Sequence, residues 1–260
     1  MNSRRRLVVA NWKMHKTVAQ STAYVRELCR LVEQEPLPER VEMVVAPTYL
    51  AIAPVAARVR VVGVGVAAQS LDPGREGALT GAVSGYLLFA AGARYAIVGH
   101  SERRQQFQET DLMVAERVGA ALDAGLTPIL CVGESALNRE RGETAAVLHR
   151  ELDAVLGDLP RPAPHLVVAY EPIWAIGTGV AADPAEANRM AALIRRRVDE
   201  AWPGAGESVR ILYGGSVTVA NAAAVFSESE VDGALIGSAS LQVQDFVTMA
   251  RAGGIHQGER

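Results

Sequence analysis

HLVVAYEPIWAIGTGVAADPAE, residues 165–186, is one complete passage from a strand to a helix. HLVVAY is β-branched and apolar without alternation, which is how a strand covered on both faces reads. Pro172 ends it, because proline cannot donate to a ladder and restricts the residue before it. Glu171 therefore stands at a strand end. Asp183, Pro184 and Glu186 then open a helix with an N-cap, a proline at the first helical position and a reciprocal capping acid. Between the two elements, the bulky Ile173, Trp174 and Ile176 are joined by Ala175, and Gly177, Thr178, Gly179, Val180, Ala181 and Ala182 follow. Apolar cover combined with glycine freedom suits a flap closing over something, so Pro172 to Ala182 reads as a lid and Glu171 as a base beneath it.

The same strand-then-helix unit recurs in both directions. Short apolar runs lie at Arg6–Asn11, Val41–Pro47, Val59–Gln69, Arg94–His100, Leu126–Glu134, His165–Pro172, Val209–Ser216 and Val231–Ser238. Segments with helical spacing separate them, such as Tyr24, Leu28, Leu31 and Val32, or Leu112, Val114, Val118 and Leu122. Thr218 before VANAAAVF is a second helix-start signal. No linker, charge block or low-complexity stretch divides residues 1–260, so the chain reads as one α/β domain. Eight units in one undivided chain favour a closed (β/α)8 barrel, a parallel eight-stranded sheet ringed by helices, over an open doubly wound sheet.

Composition narrows the function classes. The 260 residues are 49% hydrophobic with a formal net charge of −3. No basic surplus points to nucleic acid or anionic lipid, and the arginine runs 4–6 and 195–197 read as solvated ends or faces. The LVVA run near the N-terminus is too short for a signal-peptide core or a membrane span, so the expected location is cytoplasmic. Cys29 and Cys131 form no framework, and five scattered histidines show no ligand spacing, so neither disulfide nor metal is expected.

In a (β/α)8 barrel, chemistry comes from the C-terminal ends of the strands. The runs place Asn11 and Lys13 after the first, Gln69 after the third, His100 and Glu102 after the fourth, Glu134 after the fifth and Glu171 after the sixth. The last two runs end in Gly214-Gly215-Ser216 and Gly237-Ser238, small residues whose amides can approach an anion, which proposes a phosphorylated small molecule. Each residue has a plainer alternative. Lys13 is either a solvated surface lysine or one met by a charge. His100 is either a hydrogen-bonded structural histidine or an electrophile at a helix start, where the dipole opposes imidazolium. Glu102 either satisfies that helix start or holds Lys13, and Glu171 could simply pair with an arginine. It is their shared placement at strand ends that favours a site.

Seven sequence words now appear in a fixed order: NWKMH at 11–15, GALTG at 77–81, GHSERR at 99–104, CVGE at 131–134, AYEPIWAIGTG at 169–179, YGGSV at 213–217 and GALIGSASL at 233–241. Over nearly the whole chain they resemble the triosephosphate isomerase family, for which the TIM barrel is named. The resemblance implies interconversion of dihydroxyacetone phosphate and D-glyceraldehyde 3-phosphate through an enediolate, in glycolysis and gluconeogenesis, with no cofactor and no metal. It implies that Glu171 is the base and that His100 is the electrophile, supplemented by Asn11 and Lys13, with Glu102 in the same set. The phosphate would rest on amides of Gly177, Ser216, Gly237 and Ser238, with Asn11 and Lys13 also in contact with substrate. Ile176 and Leu235 would clamp Glu171. A homodimer is implied too, with Thr80 of one subunit bracing Asn11 and Glu102 of the other.

Several positions depart from the family pattern. Val180-Ala181-Ala182 stands where a Lys-Thr-Ala type hinge is usual, Ser238 where a second glycine is, and Ser70 where asparagine is common. Ala82 replaces a glutamate that would pair with an arginine of the partner subunit, here matching Arg103, which leaves Arg103 without that mate. Two other functions stay open: an isomerase of four-carbon ketose phosphates using the same residues, and a non-catalytic phosphate-binding barrel. An aldolase-type barrel would want a Schiff-base lysine, and the chain has two lysines, Lys13 and Lys16.

Overall fold

Alternate side chains of a strand point to opposite faces of its sheet, and in this chain both faces are apolar. The computed structural model describes residues 4–159, 162–163, 165–175 and 183–254. Its strands are β1 (Arg6–Asn11), β2 (Val41–Ala46), β3 (Gly65–Ala68), β4 (Tyr95–Val98), β5 (Thr127–Val132), β6 (Val167–Tyr170), β7 (Arg210–Tyr213) and β8 (Gly233–Ile236). Each pairs in parallel with the next, and β8 returns to β1 to close an eight-stranded barrel. Leu7, Val9, Val44, Ile97, Ile129, Cys131 and Leu212 fill the interior, while Val8, Ala10, Met43 and Val45 point outward against the helices. The closing seam depends on Gly233. Its φ of +145° is a conformation L residues rarely adopt, and a Cβ there would lie 1.9 Å from the Leu7 carbonyl oxygen.

The helices are α1 (Val18–Gln34), α2 (Ile52–Val59), α3 (Gly85–Ala90), α4 (Ser101–Gln106), α5 (Asp111–Asp123), α6 (Ala136–Glu140), α7 (Thr144–Leu156), α8 (Pro184–Ala201), α9 (Ala222–Ser227) and α10 (Val243–Ala252). Their starts are chemically marked. Thr17 and Gln20 form a reciprocal capping box on α1, and Ser84, Thr110, Ser135 and Asp183 each accept a backbone N–H of the first turn that follows. No helix among the described residues is long and apolar enough to cross a membrane.

Three local expectations need correction. The run Val59–Gln69 is strand only from Gly65 onward; α2 extends through Val59, a 3-10 turn follows at Arg60–Val62, and Gly63 with φ 71° reverses the chain. A continuous apolar run cannot by itself distinguish a helix end from a strand. Thr218 does not cap α9, which starts four residues later at Ala222; the Thr218 N–H instead donates to Asn221 Oδ1 at 2.8 Å. Asp183 caps α8, but Glu186 turns away to accept from Arg139 Nη1 at 2.9 Å.

At the N-terminal ends of the strands a polar cluster occupies the barrel. Arg210 Nη1 donates to Glu42 Oε2 at 2.7 Å, and the Tyr95 hydroxyl donates to Glu42 Oε1. Burial alone would raise the Glu42 pKa, but Tyr95 and Arg210 reverse that and leave it below its ordinary value. Tyr95 is pushed up to about 12, first by its burial. Because the folded pKa of Glu42 lies below the unfolded one, its contribution is fully present above roughly pH 4.3 and is lost as pH falls through the folded value. Glu42→Gln should therefore cost about 1–3 kcal/mol at neutral pH by losing charged hydrogen bonds. The variant should also lose less of its Tm than wild type between pH 7 and pH 4, and an equal acid-induced loss in both would refute the assignment.

Candidate active site

The C-terminal mouth of the barrel holds a cavity of about 560 Å³. Asn11 and Lys13 reach it from the end of β1, His100 from β4, Glu171 from β6, Gly214 to Thr218 from β7, and Leu235, Gly237 and Ser238 from β8. The strand register delivers them to one face: Asn11 closes the β1–β2 ladder opposite Ala46, and Tyr170 is the last residue of β6 paired with β7. Glu171 follows Tyr170 directly, and Pro172 prevents further pairing.

Glu171 is only 2% exposed. Its Oε2 accepts the Ser101 N–H at 2.8 Å, and its Oε1 lies 3.0 Å from His100 Nε2. Among the described residues its partners are thus the Ser101 amide, His100 and the Cys131 thiol, and no arginine forms an ion pair with it. Gly214 makes the room, since a Cβ there would lie 2.9 Å from Glu171 Cγ. Cys131 lies in the barrel interior with its thiol pKa held well above the ordinary value, first by burial and then by the Glu171 carboxylate.

His100 precedes α4, and its Nδ1 accepts the Glu102 N–H at 3.2 Å. An imidazole that accepts at Nδ1 carries its single proton on Nε2, so the donor edge faces Glu171 and the cavity. The 3.7 Å approach of Glu102 Oε2 to the same Nδ1 brings two acceptors together and is not an ion pair.

Lys13 has a left-handed φ of 51°. Three hydrogen bonds hold that turn and its surroundings: the Lys13 N–H donates to Asn11 Oδ1 at 3.0 Å, and Gln69 Nε2 donates to the carbonyls of Lys13 and Ala46, each at 2.9 Å. With its Oδ1 engaged, Asn11 has its NH2 left to offer a ligand. Lys13 Nζ lies 2.6 Å from Glu102 Oε1, but the two side chains are 27% and 42% exposed. Solvent limits such a pair to about 1 kcal/mol or less, so Glu102 orients the ammonium without neutralising its use. On the other side, a Cβ on Gly237 would lie 3.7 Å from Lys13 Nζ, which places the cation beside the backbone that leaves β8.

That backbone begins a 3-10 turn, Ser238–Leu241, preceded by Gly237. Ser238 is not among the residues with positive φ, so a serine fits where a second glycine is usual. After β7, Asn221 Nδ2 donates to the Ser216 carbonyl at 2.9 Å and fixes the second small-residue turn. Leu235 lines the cavity from β8. Of the lid, Pro172 is described together with a 3-10 turn at Ile173–Ala175, where Trp174 Nε1 donates to Glu134 Oε1 at 2.8 Å. Glu134 thus anchors the start of that span and does not face the cavity. Ile176, Gly177, Thr178, Gly179 and Val180 to Ala182 lie outside the described residues.

Arg103 does have a mate. Its Nε lies 2.6 Å from Glu109 Oε1 within the same chain, and the Glu109 side chain is 1% exposed. Sequence reasoning missed this because Glu109 belongs to no strand end. It also missed the Ser101 amide, a backbone group without a side-chain signature, and the bracing role of Gln69, although Gln69 stood at a strand end.

The chain matches the model of the family described as Triosephosphate isomerase over residues 6–253. It belongs to the triosephosphate isomerase family. The triosephosphate isomerase of Thermus thermophilus is 46% identical over 254 residues, covering 96% of this chain and 100% of that protein. That of Trichlorobacter lovleyi is 45% identical over 250 residues (95% and 98% covered), and that of Symbiobacterium thermophilum 44% over 248 (95% and 96%). The fold expected from the resemblance is the fold observed.

Proposed function

We propose that this cavity interconverts dihydroxyacetone phosphate and D-glyceraldehyde 3-phosphate; the relatives are each named triosephosphate isomerase. The observation that carries the residue roles is the buried carboxylate of Glu171 meeting the donor edge of His100 at 3.0 Å, beside an ammonium and a glycine turn. In this reading the substrate phosphate lies against the Ser216, Gly237 and Ser238 backbone near Lys13, with Gly177 added from the lid. The carbonyl oxygen takes the His100 Nε2–H in place of Glu171 Oε1. That exchange frees one oxygen of Glu171 to abstract the proton from the carbon next to the carbonyl. Electrons move into the carbonyl, giving an enediolate held by His100, Asn11 and Lys13. Glu171 returns its proton to the neighbouring carbon, while the hydroxyl proton passes from one enediolate oxygen to the other by way of His100 Nε2, so one proton moves between carbons and one between oxygens with no net reagent.

Rates on three- and four-carbon ketose phosphates test the substrate. Turnover of the triose should exceed that of the tetrulose by well over tenfold; the reverse order would discard this assignment in favour of the four-carbon isomerase.

We further propose a homodimer. Met14, Leu50, Leu79 and Phe107 are all exposed; Met14 and Leu79 follow β1 and β3, Leu50 lies in a 3-10 turn after β2, and Phe107 ends α4, the short helix after β4. Because β1 to β4 are consecutive neighbours in the barrel, exposed apolar side chains on the segments that follow them suit a surface that association covers. Thr80, beside Leu79, would then brace Asn11 and Glu102 of the partner subunit. Sedimentation should give the mass of two chains, and Leu79→Asp should shift it toward one with loss of activity on dilution. A wild-type mass of one chain would rule the dimer out.

A further inference from the structure

We propose that Lys16 and Tyr24 are a positioning pair that holds the turn after β8 from behind and so sets how tightly the site binds the phosphate of its substrate; this rests on the isomerase reading above. The two lysines of the chain lie on the same short segment. Lys13 reaches the cavity, whereas Lys16 turns the other way. Its Nζ donates to the Leu241 carbonyl at 3.0 Å and sits 4.7 Å from the Tyr24 ring centre and 5.7 Å from that of Trp12. Among the described residues no carboxylate forms an ion pair with it, so two ring faces and a carbonyl hold the ammonium. Holding it has a conformational cost, because Lys16 is a non-glycine residue with φ 71°.

Tyr24 acts on the adjacent residue. Its hydroxyl donates to the Ser240 carbonyl at 2.7 Å in a fully buried bond, and its ring packs edge-on against Trp12 at 4.7 Å. Burial holds the Tyr24 pKa above its ordinary value, so the group remains a donor. Lys16 and Tyr24 thus grip two successive carbonyls, Ser240 and Leu241, at the C-terminal end of a turn whose N-terminal end, Gly237 and Ser238, forms part of the cavity wall. A cation on the carbonyl end and an anion on the amide end both follow the direction of the turn's peptide dipoles. Neither side chain touches the space where the reacting carbons would lie. Their effect should therefore fall on affinity and leave the proton transfers alone.

The test compares wild type with Lys16→Ala, Lys16→Met, Lys16→Arg and Tyr24→Phe. It measures kcat and KM for dihydroxyacetone phosphate and, separately, the binding of inorganic phosphate by calorimetry. Lys16→Ala and Lys16→Met should raise KM and the phosphate Kd together by about tenfold, as expected for a charge-assisted contact, with kcat within about twofold. Tyr24→Phe should raise both severalfold, and Lys16→Arg should restore most of the loss. Lys16→Met keeps the aliphatic stem on the rings, and Tyr24→Phe keeps the ring on Trp12, so they carry the test if Lys16→Ala fails to fold. Unchanged KM and Kd, a fall in kcat alone, or no rescue by arginine would overturn the proposal. If wild type binds phosphate but does not turn over trioses, the isomerase reading fails while the Kd comparison still decides the role of the pair.

Discussion

Glu171→Gln should lower kcat for triose-phosphate interconversion by about 10²- to 10⁴-fold, the range a positioned general base supplies, while a non-reacting phosphate ligand binds within about tenfold of wild type. The variant is close in shape, so the cavity should persist, but an amide cannot take a proton from carbon. The structure adds a second consequence. The carboxylate now accepts from two donors, Ser101 N–H and His100 Nε2–H, one on each oxygen. Glutamine has one acceptor oxygen and one NH2 group, so one buried donor would face another. An unpaired buried donor costs about 1–3 kcal/mol, so Tm should fall even though no volume is lost. Near-normal turnover would remove Glu171 from the mechanism. Normal stability with lost turnover would mean that the His100 contact is not formed in solution.

The barrel was legible because its evidence is distributed: eight apolar runs, the helical segments between them, and caps such as Thr17 and Asp183 whose chemistry is local. Where one local rule stood alone it failed, as at Thr218, because Asn221 offered the turn a competing hydrogen bond. Val59 to Val62 failed for a related reason, since a helix end and a strand start share the same apolar letters and only Gly63 separates them. At the site, side chains at strand ends were found and backbone donors were not. Asn11, Lys13, His100 and Glu171 line one cavity, but the Ser101 amide that holds Glu171 has no letter of its own. Long-range partners were equally invisible: Gln69 braces the Lys13 turn because the segments after β1, β2 and β3 are neighbours in the barrel.

Removing the His100 donor should cost kcat about 10²- to 10³-fold, the loss typical of one preorganised oxyanion donor, with KM changed far less. The geometry explains why the loss should fall on kcat. The Glu102 N–H fixes Nδ1 as an acceptor, so Nε2–H points into the cavity without reorganising when the carbonyl oxygen gains charge. Such a donor serves the developing oxyanion more than the ground-state carbonyl, and that difference is what accelerates the step. His100→Ala removes it outright. His100→Gln can still present an N–H from a side chain of similar reach and should retain more activity than alanine, though it lacks the contact that orients the ring. His100→Ala also releases Glu171 Oε1 from the histidine, so the base should be freer while the oxyanion is less stabilised. If freeing the base mattered more, kcat would hold or rise in His100→Ala, and His100 would be only a clamp on Glu171. A fall in kcat in the order wild type, His100→Gln, His100→Ala, with phosphate affinity preserved, separates the donor from the clamp.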